Sequence, residues 1–135
     1  NFIVEKNRIN YSIIESAFLE FDKIVLRKIP KKCNPLCDTL IIQFENKQTA
    51  SIFVEELKKE GLGTKNVPDA IEWHFVKYWD HMLSHIGLNL NELNDSIKAS
   101  TEILEKCVAI PIMVKTTENE LKNQMKVYKK IIQKI

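Results

Sequence analysis

Residues 38–61, DTLIIQFENKQTASIFVEELKKEG, contain an apolar strand pattern that passes directly into a helical one. The first part, 38–44, is rich in Leu, Ile and Phe and is short enough for a buried strand. Asn46 can then cap a helix over 47–60, and Gly61 stands where a helix C-cap glycine belongs. The apolar side of that helix consists of Ala50, Phe53, Val54 and Leu57. This stretch therefore predicts a strand followed at once by an amphipathic helix.

Outside this stretch, helices and short strands continue to alternate. The predicted elements are a helix over 11–21 with a capping box of Ser12 and Glu15, strands over 23–29, 61–67 and 107–114, a helix over 90–106, and a last helix after Thr117 with Glu120 as its capping-box partner. Residues 68–89 show no clear period and are predicted to form a loop, whereas residues 1–9 are uninformative. The alternation predicts one domain, 1–135, of the α/β (α+β) class, with a small mixed sheet and helices packed on it.

Composition and charge argue against two function classes. The 20 basic and 18 acidic residues leave a net charge of +2, which provides no broad phosphate-binding field, so no nucleic acid partner is expected. No apolar run approaches the roughly 18 to 20 residues of a membrane-spanning helix, so no membrane is expected either. The three cysteines, an odd number without a disulfide-like pattern, favour reduced thiols and a cytoplasmic location.

Aromatic and histidine residues are concentrated in the aperiodic segment, which is unusual because loops are mostly small and polar. The cluster consists of Trp73, His74, Phe75, Tyr78, Trp79, Asp80, His81 and His85. Two interpretations are open. Either the rings form a wall that faces a ligand, or the loop folds back to cover the core.

Motifs for metal binding and for nucleophilic catalysis are missing from the sequence. The histidine spacing fits no HExxH-type pattern, and Cys33 with Cys37 forms CxxxC rather than a CxxC knuckle. No GxSxG elbow is present, Cys107 lies in an apolar run, and 61–64 lacks the Lys-Ser/Thr ending of a phosphate loop. We therefore expect no bound metal and no complete catalytic site within these 135 residues.

Three stretches carry a resemblance to a known family. They are 54–64, VEELKKEGLGT, at a helix-to-strand turn; Pro68 and His74, which follow Thr64; and 108–112, VAIPI, before 117–120, TENE. In order and spacing, residues 38–135 resemble the C-terminal small domain of the DegT/DnrJ/StrS family of PLP-dependent sugar aminotransferases. These enzymes have the aspartate-aminotransferase fold.

The resemblance implies that the chain is part of a larger enzyme. In this family PLP is bound by a lysine of a large N-terminal domain, so we expect PLP in a full-length enzyme and no cofactor in this fragment. The implied partners are a keto-sugar or nucleotide-sugar and an amino donor, glutamate, in amino-sugar biosynthesis for cell-surface polysaccharide. The implied full-length enzyme is a homodimer whose small domain closes over the cofactor and lines the sugar site. The substrate-binding residues carried over by position are His74, Trp73, Trp79, His81, Asn66 and Lys65.

The sequence departs from the family pattern after Thr64, where 65–70 replaces the usual aromatic and proline residues. This difference suggests an unusual keto-sugar, such as a sugar acid. Some relatives are dehydratases, and the loop with Cys33 and Cys37 has no family role. An alternative of another class is a non-catalytic α/β ligand-binding or regulatory module. An RNA-binding sheet is a further alternative, but it would carry its aromatic residues on central strands rather than in a loop.

Overall fold

A computed structural model describes residues 2–135 of the chain. Its helices are α1 (Phe2–Ser16), α2 (Lys47–Lys59), α3 (Ile71–His74), α4 (Asp80–Leu83), α5 (Leu90–Leu104) and α6 (Glu118–Ile132), and its strands are β1 (Val25–Leu26), β2 (Thr39–Gln43) and β3 (Cys107–Pro111). Single 3-10 turns at Val76–Tyr78 and Ser84–Ile86 follow α3 and α4.

The three strands form one sheet in the order β1-β2-β3. Val25 pairs with Gln43, and Ile41 pairs with Ala109, so that β2 lies in the centre. The predicted α/β (α+β) class, a small sheet with helices packed on it, is confirmed. The strand direction differs from the expected mixed sheet, because both pairings of the described strands are antiparallel.

One face of the sheet packs against α1, α2 and α6. The alternating residues Leu40 and Ile42 of β2 point to this face with Val108 and Ile110 of β3, and all are fully buried. Four aromatic rings pack together in the same core: Phe53 of α2, Tyr128 of α6, Phe18 in the turn after α1, and Phe44 just after β2. Fully burying an apolar side chain contributes about 1.5 to 3 kcal/mol, so this layer supplies much of the driving force for folding.

The ends of α2 form as the sequence predicts. Asn46 accepts a hydrogen bond from the Thr49 N–H at 2.9 Å. At the other end Gly61 has φ of +72°, and the N–H of Leu62 donates to the Leu57 carbonyl at 2.9 Å. This is a Schellman motif, which requires the left-handed conformation that glycine adopts without steric cost.

The last helix also begins as predicted. Thr117 and Glu120 form a capping box, in which each side chain bonds to the main-chain N–H of the other. A second capping box, of Asn89 and Glu92, starts α5.

The first helix lies further towards the N-terminus than predicted. It covers most of 1–9 and ends at Ser16, where the chain tightens into a turn closed by the Ala17 N–H and the Ile14 carbonyl at 3.0 Å. Ser12 lies inside α1, so the predicted capping box of Ser12 and Glu15 is wrong. The start of the helix shows no apolar period in the sequence because two of its buried residues, Asn7 and Asn10, are polar.

Two predicted strands and the predicted loop are corrected. The strand over 23–29 is reduced to β1, extended by one hydrogen bond from the Arg27 N–H to the Ile41 carbonyl at 3.1 Å. Residues 61–67 form no strand, because a tight turn interrupts them beside β3. Residues 68–89 are folded into short helical pieces rather than an open loop, and these pieces were too short to show a period.

Candidate ligand site

The segment from α3 to α4 forms an open cleft of about 570 Å³. Its lining residues are Glu72, Trp73, Tyr78, Trp79, His81 and Met82. The two tryptophans differ in exposure: Trp73 is 81% exposed, whereas Trp79 is half-buried. The cleft therefore offers broad aromatic faces to solvent, with one carboxylate and one imidazole among them.

Local packing explains why this short segment holds its shape. The indole N–H of Trp79 donates to the Glu72 carbonyl at 3.1 Å, which fixes the ring across the cleft. Phe75 and Leu83 of the same segment are buried, and the Phe75 ring meets the Tyr78 ring edge-on at 6.4 Å. Within the cluster, Phe75 is therefore buried, whereas Trp73, His74 and His81 are exposed.

Charge pairs tie this segment to the rest of the domain. Glu105, just after α5, accepts a hydrogen bond from the ammonium of Lys77 at 3.3 Å and lies 3.4 Å from that of Lys47. The hydrogen bond from Lys77 holds the pKa of the Glu105 carboxyl below its usual value. Lys77 is therefore paired with Glu105 and does not line the cleft.

A second group of predicted site residues lies in a turn against the free edge of β3. The N–H of Lys65 donates to the Ala109 carbonyl at 2.8 Å, and the Ala109 N–H donates to the Val67 carbonyl at 2.9 Å. The Val67 N–H closes the turn on the Lys65 carbonyl at 2.7 Å, and Asn66 between them has φ of +63°. This three-residue turn is rare, and Asn tolerates its left-handed conformation better than most residues do.

Two aspartates hold this turn from either side. Asp38 accepts a hydrogen bond from the Lys65 ammonium at 2.6 Å, and this bond lowers the pKa of the Asp38 carboxyl. Asp69 accepts one from the Thr64 hydroxyl at 2.6 Å and pairs with Lys58 of α2 at 3.0 Å. The Thr64 hydroxyl is the main cause of the lowered pKa of Asp69.

The predicted site residues therefore fall into separate places. Trp73, Trp79 and His81 line one cleft. His74 is exposed on α3 and does not line the cleft, and the turn with Lys65 and Asn66 does not line it either. The prediction omitted Glu72, Tyr78 and Met82 from the site, and these three residues lie on separate short helical pieces that show no common period.

Within residues 2–135, no three His, Cys, Asp or Glu side chains come together as a metal site, and Cys33, Cys37 and Cys107 are free thiols. None of the helices in that range has the length and apolar character needed to cross a bilayer.

The fold is similar to parts of several solved enzymes, although no family model and no curated protein sequence matches the chain. The candidate sugar aminotransferase Spr1654 from Streptococcus pneumoniae, in its PMP form, superposes with a TM-score of 0.71 and 15% identity over 98% of this chain and 31% of its own. The fold is one found within aminotransferases. The sugar aminotransferase CalS13 from Micromonospora echinospora gives a TM-score of 0.62 and 14% identity, over 95% of this chain and 30% of its own. The structure of 3-amino-5-hydroxybenzoic acid synthase gives a TM-score of 0.68 and 11% identity, over 98% of this chain and 35% of its own.

The chain spans about a third of the length of these similar structures. Its own cleft lacks the chemistry of a PLP site, since no lysine lines it to hold the cofactor and no arginine or lysine lines it to take a phosphate. The residues that line this cleft therefore do not fit the cofactor, and we assign them no step of its chemistry.

Proposed function

We propose that this chain is the C-terminal domain of a PLP-dependent aminotransferase of the DegT/DnrJ/StrS family, acting on a keto-sugar or nucleotide-sugar in amino-sugar biosynthesis for cell-surface polysaccharide. The observation that carries the proposal is the agreement in fold with sugar aminotransferases over nearly the whole chain. The stretches 54–64 and 108–120, which resemble the family, support it independently of the fold.

The aromatic cleft supports a sugar as the ligand. The faces of Trp73 and Trp79 can stack on the C–H face of a pyranose ring, while the Glu72 carboxylate and the His81 imidazole can bind its hydroxyls. His74 and the turn of Lys65 and Asn66 are proposed to complete the sugar site when the domain closes.

The remaining chemistry belongs to the proposed full-length enzyme. There PLP, held by a lysine outside this chain, supplies the electron sink for moving an amino group from glutamate to a ketone carbon. The present domain orients the sugar and closes over the cofactor, so we expect no activity from this fragment alone. A cytoplasmic homodimer is part of the proposal, and the free thiols agree with a reducing compartment.

The first test uses the protein made from the complete reading frame that contains this chain. It should show the visible absorption band of lysine-bound PLP, and glutamate should bleach that band. A band that glutamate leaves unchanged would argue against glutamate as the amino donor. The absence of any band would sink the enzyme proposal.

The cleft is tested by Trp79→Ala in the same protein. Because an aromatic contact contributes about 0.5 to 1.5 kcal/mol, we expect the KM for a nucleotide-linked keto-hexose to rise about 2- to 10-fold. The control is Ile52→Ala, which removes an exposed apolar side chain of α2 outside the cleft. An unchanged KM in the Trp79 variant would remove the cleft from the sugar site.

The second candidate function is a non-catalytic ligand-binding module. It is favoured by one observation, namely that the cleft is formed within the chain without another domain. Titration of the 135-residue chain with UDP-glucose, followed by tryptophan fluorescence, separates the candidates. Saturable binding by a protein whose complete form lacks the PLP band would support the module.

A further inference from the structure

The turn at 65–67 leaves few main-chain groups for a ligand. Ala109 and the turn itself take up the N–H and carbonyl of Lys65 and of Val67, and the Asn66 carbonyl accepts a hydrogen bond from the Ala70 N–H at 2.8 Å. These bonds do not involve the main-chain N–H of Asn66 or its exposed side-chain amide, and both groups can bind another partner. A neutral donor and acceptor set of this kind matches hydroxyl groups.

The positive charge of Lys65 is compensated inside the chain. Its ammonium lies 2.6 Å from Oδ2 of Asp38, and the two side chains are 37% and 46% exposed. Asp38 is itself fixed at the end of the sheet, because its carbonyl accepts a hydrogen bond from the Ile112 N–H at 3.0 Å. The pair therefore spans β3 and joins the turn on its free edge to the start of β2.

We propose that Asp38 is a positioning residue, which holds the turn through Lys65 and cancels the lysine charge so that Asn66 presents its amide to an uncharged, hydroxylated part of the ligand. This inference rests on the proposed sugar site. It replaces the sugar acid suggested by the sequence with a neutral sugar, because Lys65 was the only lysine or arginine among the residues carried over to that site. The cleft agrees, since Glu72 lines it and no lysine or arginine does.

Hydrogen exchange of the 135-residue chain tests the positioning role. Asp38→Asn keeps the shape of the side chain and removes its charge. Since a partly exposed ion pair contributes little, we expect the Lys65 and Ala109 amides to exchange about 1.5- to 5-fold faster, with the core amides of Leu40 and Ile42 unchanged. Lys65→Gln should give the same result.

The control is Glu20→Gln, which removes the ion pair of Glu20 with Lys129, also 2.6 Å long, at a different place. It should leave the exchange rate of the Lys65 amide unchanged.

The pH dependence of exchange gives a second readout, for which the titratable groups facing Asp38 are Lys65 and the Cys37 thiol. After correction for intrinsic exchange, the protection of the Lys65 amide should fall in the wild type when the pH is lowered below about 4. In Asp38→Asn the protection of this amide should not fall. Equal protection in wild type and Asp38→Asn would overturn the proposal.

Ligand selectivity is measured with the complete enzyme by calorimetry, using UDP-glucose and UDP-glucuronate as probes. Asp38→Asn uncovers the Lys65 charge, so binding of the glucuronate compound should improve about 1.5- to 5-fold relative to the glucose compound. The double variant with Lys65→Met should lose this gain. An unchanged ratio in Asp38→Asn would refute charge cancellation. A complete protein without the PLP band would instead refute the aminotransferase, whatever the exchange data show.

Discussion

Phe53 is the side chain whose loss should damage this fold most clearly. It is fully buried on α2, and its ring lies 4.9 Å from that of Phe44 and 6.3 Å from that of Phe18. Replacing a buried Phe with Ala costs about 3 to 5 kcal/mol, because the lost transfer free energy adds to that of the cavity. A domain of this size is stable by about 5 to 15 kcal/mol, so Phe53→Ala should lose a large part of its free energy of unfolding.

Urea unfolding followed by far-UV circular dichroism measures this loss. The matched control is Ile52→Ala, one residue earlier on the same helix but 39% exposed, which should change the free energy of unfolding by about 0.5 kcal/mol or less. Phe53→Leu, which keeps most of the volume, should lose less than Phe53→Ala. Similar losses in Phe53→Ala and Ile52→Ala, at unchanged m-value, would refute the placement of the aromatic core under α2.

Three further predictions concern helix capping and pH. Thr117→Ala should lower the free energy of unfolding by about 1 kcal/mol, because it removes the cap of α6, whereas Thr116→Ala should not; urea unfolding of both variants checks this. Burial raises the pKa of Tyr128 above the unfolded value of about 10, so the wild type should lose stability as the pH rises beyond 10 and Tyr128→Phe should lose less, as measured by unfolding between about pH 8 and 11. The Thr64 hydroxyl lowers the pKa of Asp69, so its contribution is present above the unfolded value of about 3.9 and is lost as the pH falls through the folded value. As the pH falls, the free energy of unfolding should therefore decrease less in Asp69→Asn than in wild type. An equal decrease in the two proteins would contradict this.

The candidate site was predictable only in part. The concentration of rings in 73–85 identified the cleft, because such residues are rare in loops. The sequence did not indicate that Phe75 packs inwards while Trp73 faces solvent, since no helical period orders a segment of such short pieces. Glu72 was missed because a single carboxylate has no pattern of its own.

What the sequence by itself determined is local. Helix α2, its Asn46 cap and its Gly61 end were predictable, because the bonds that fix them join residues within a few positions of each other. The same holds for Thr117 at the start of α6.

What only the tertiary structure decided depends on residues far apart in the chain. Asn10 is buried in α1 because its amide donates to the Met113 carbonyl at 2.9 Å, across a separation of 103 residues. The turn at 65–67 replaces a predicted strand because Ala109 and Asp38 hold it in place. Such pairs leave no periodic trace in a sequence, because each partner is selected by the packing of elements rather than by its neighbours in the chain.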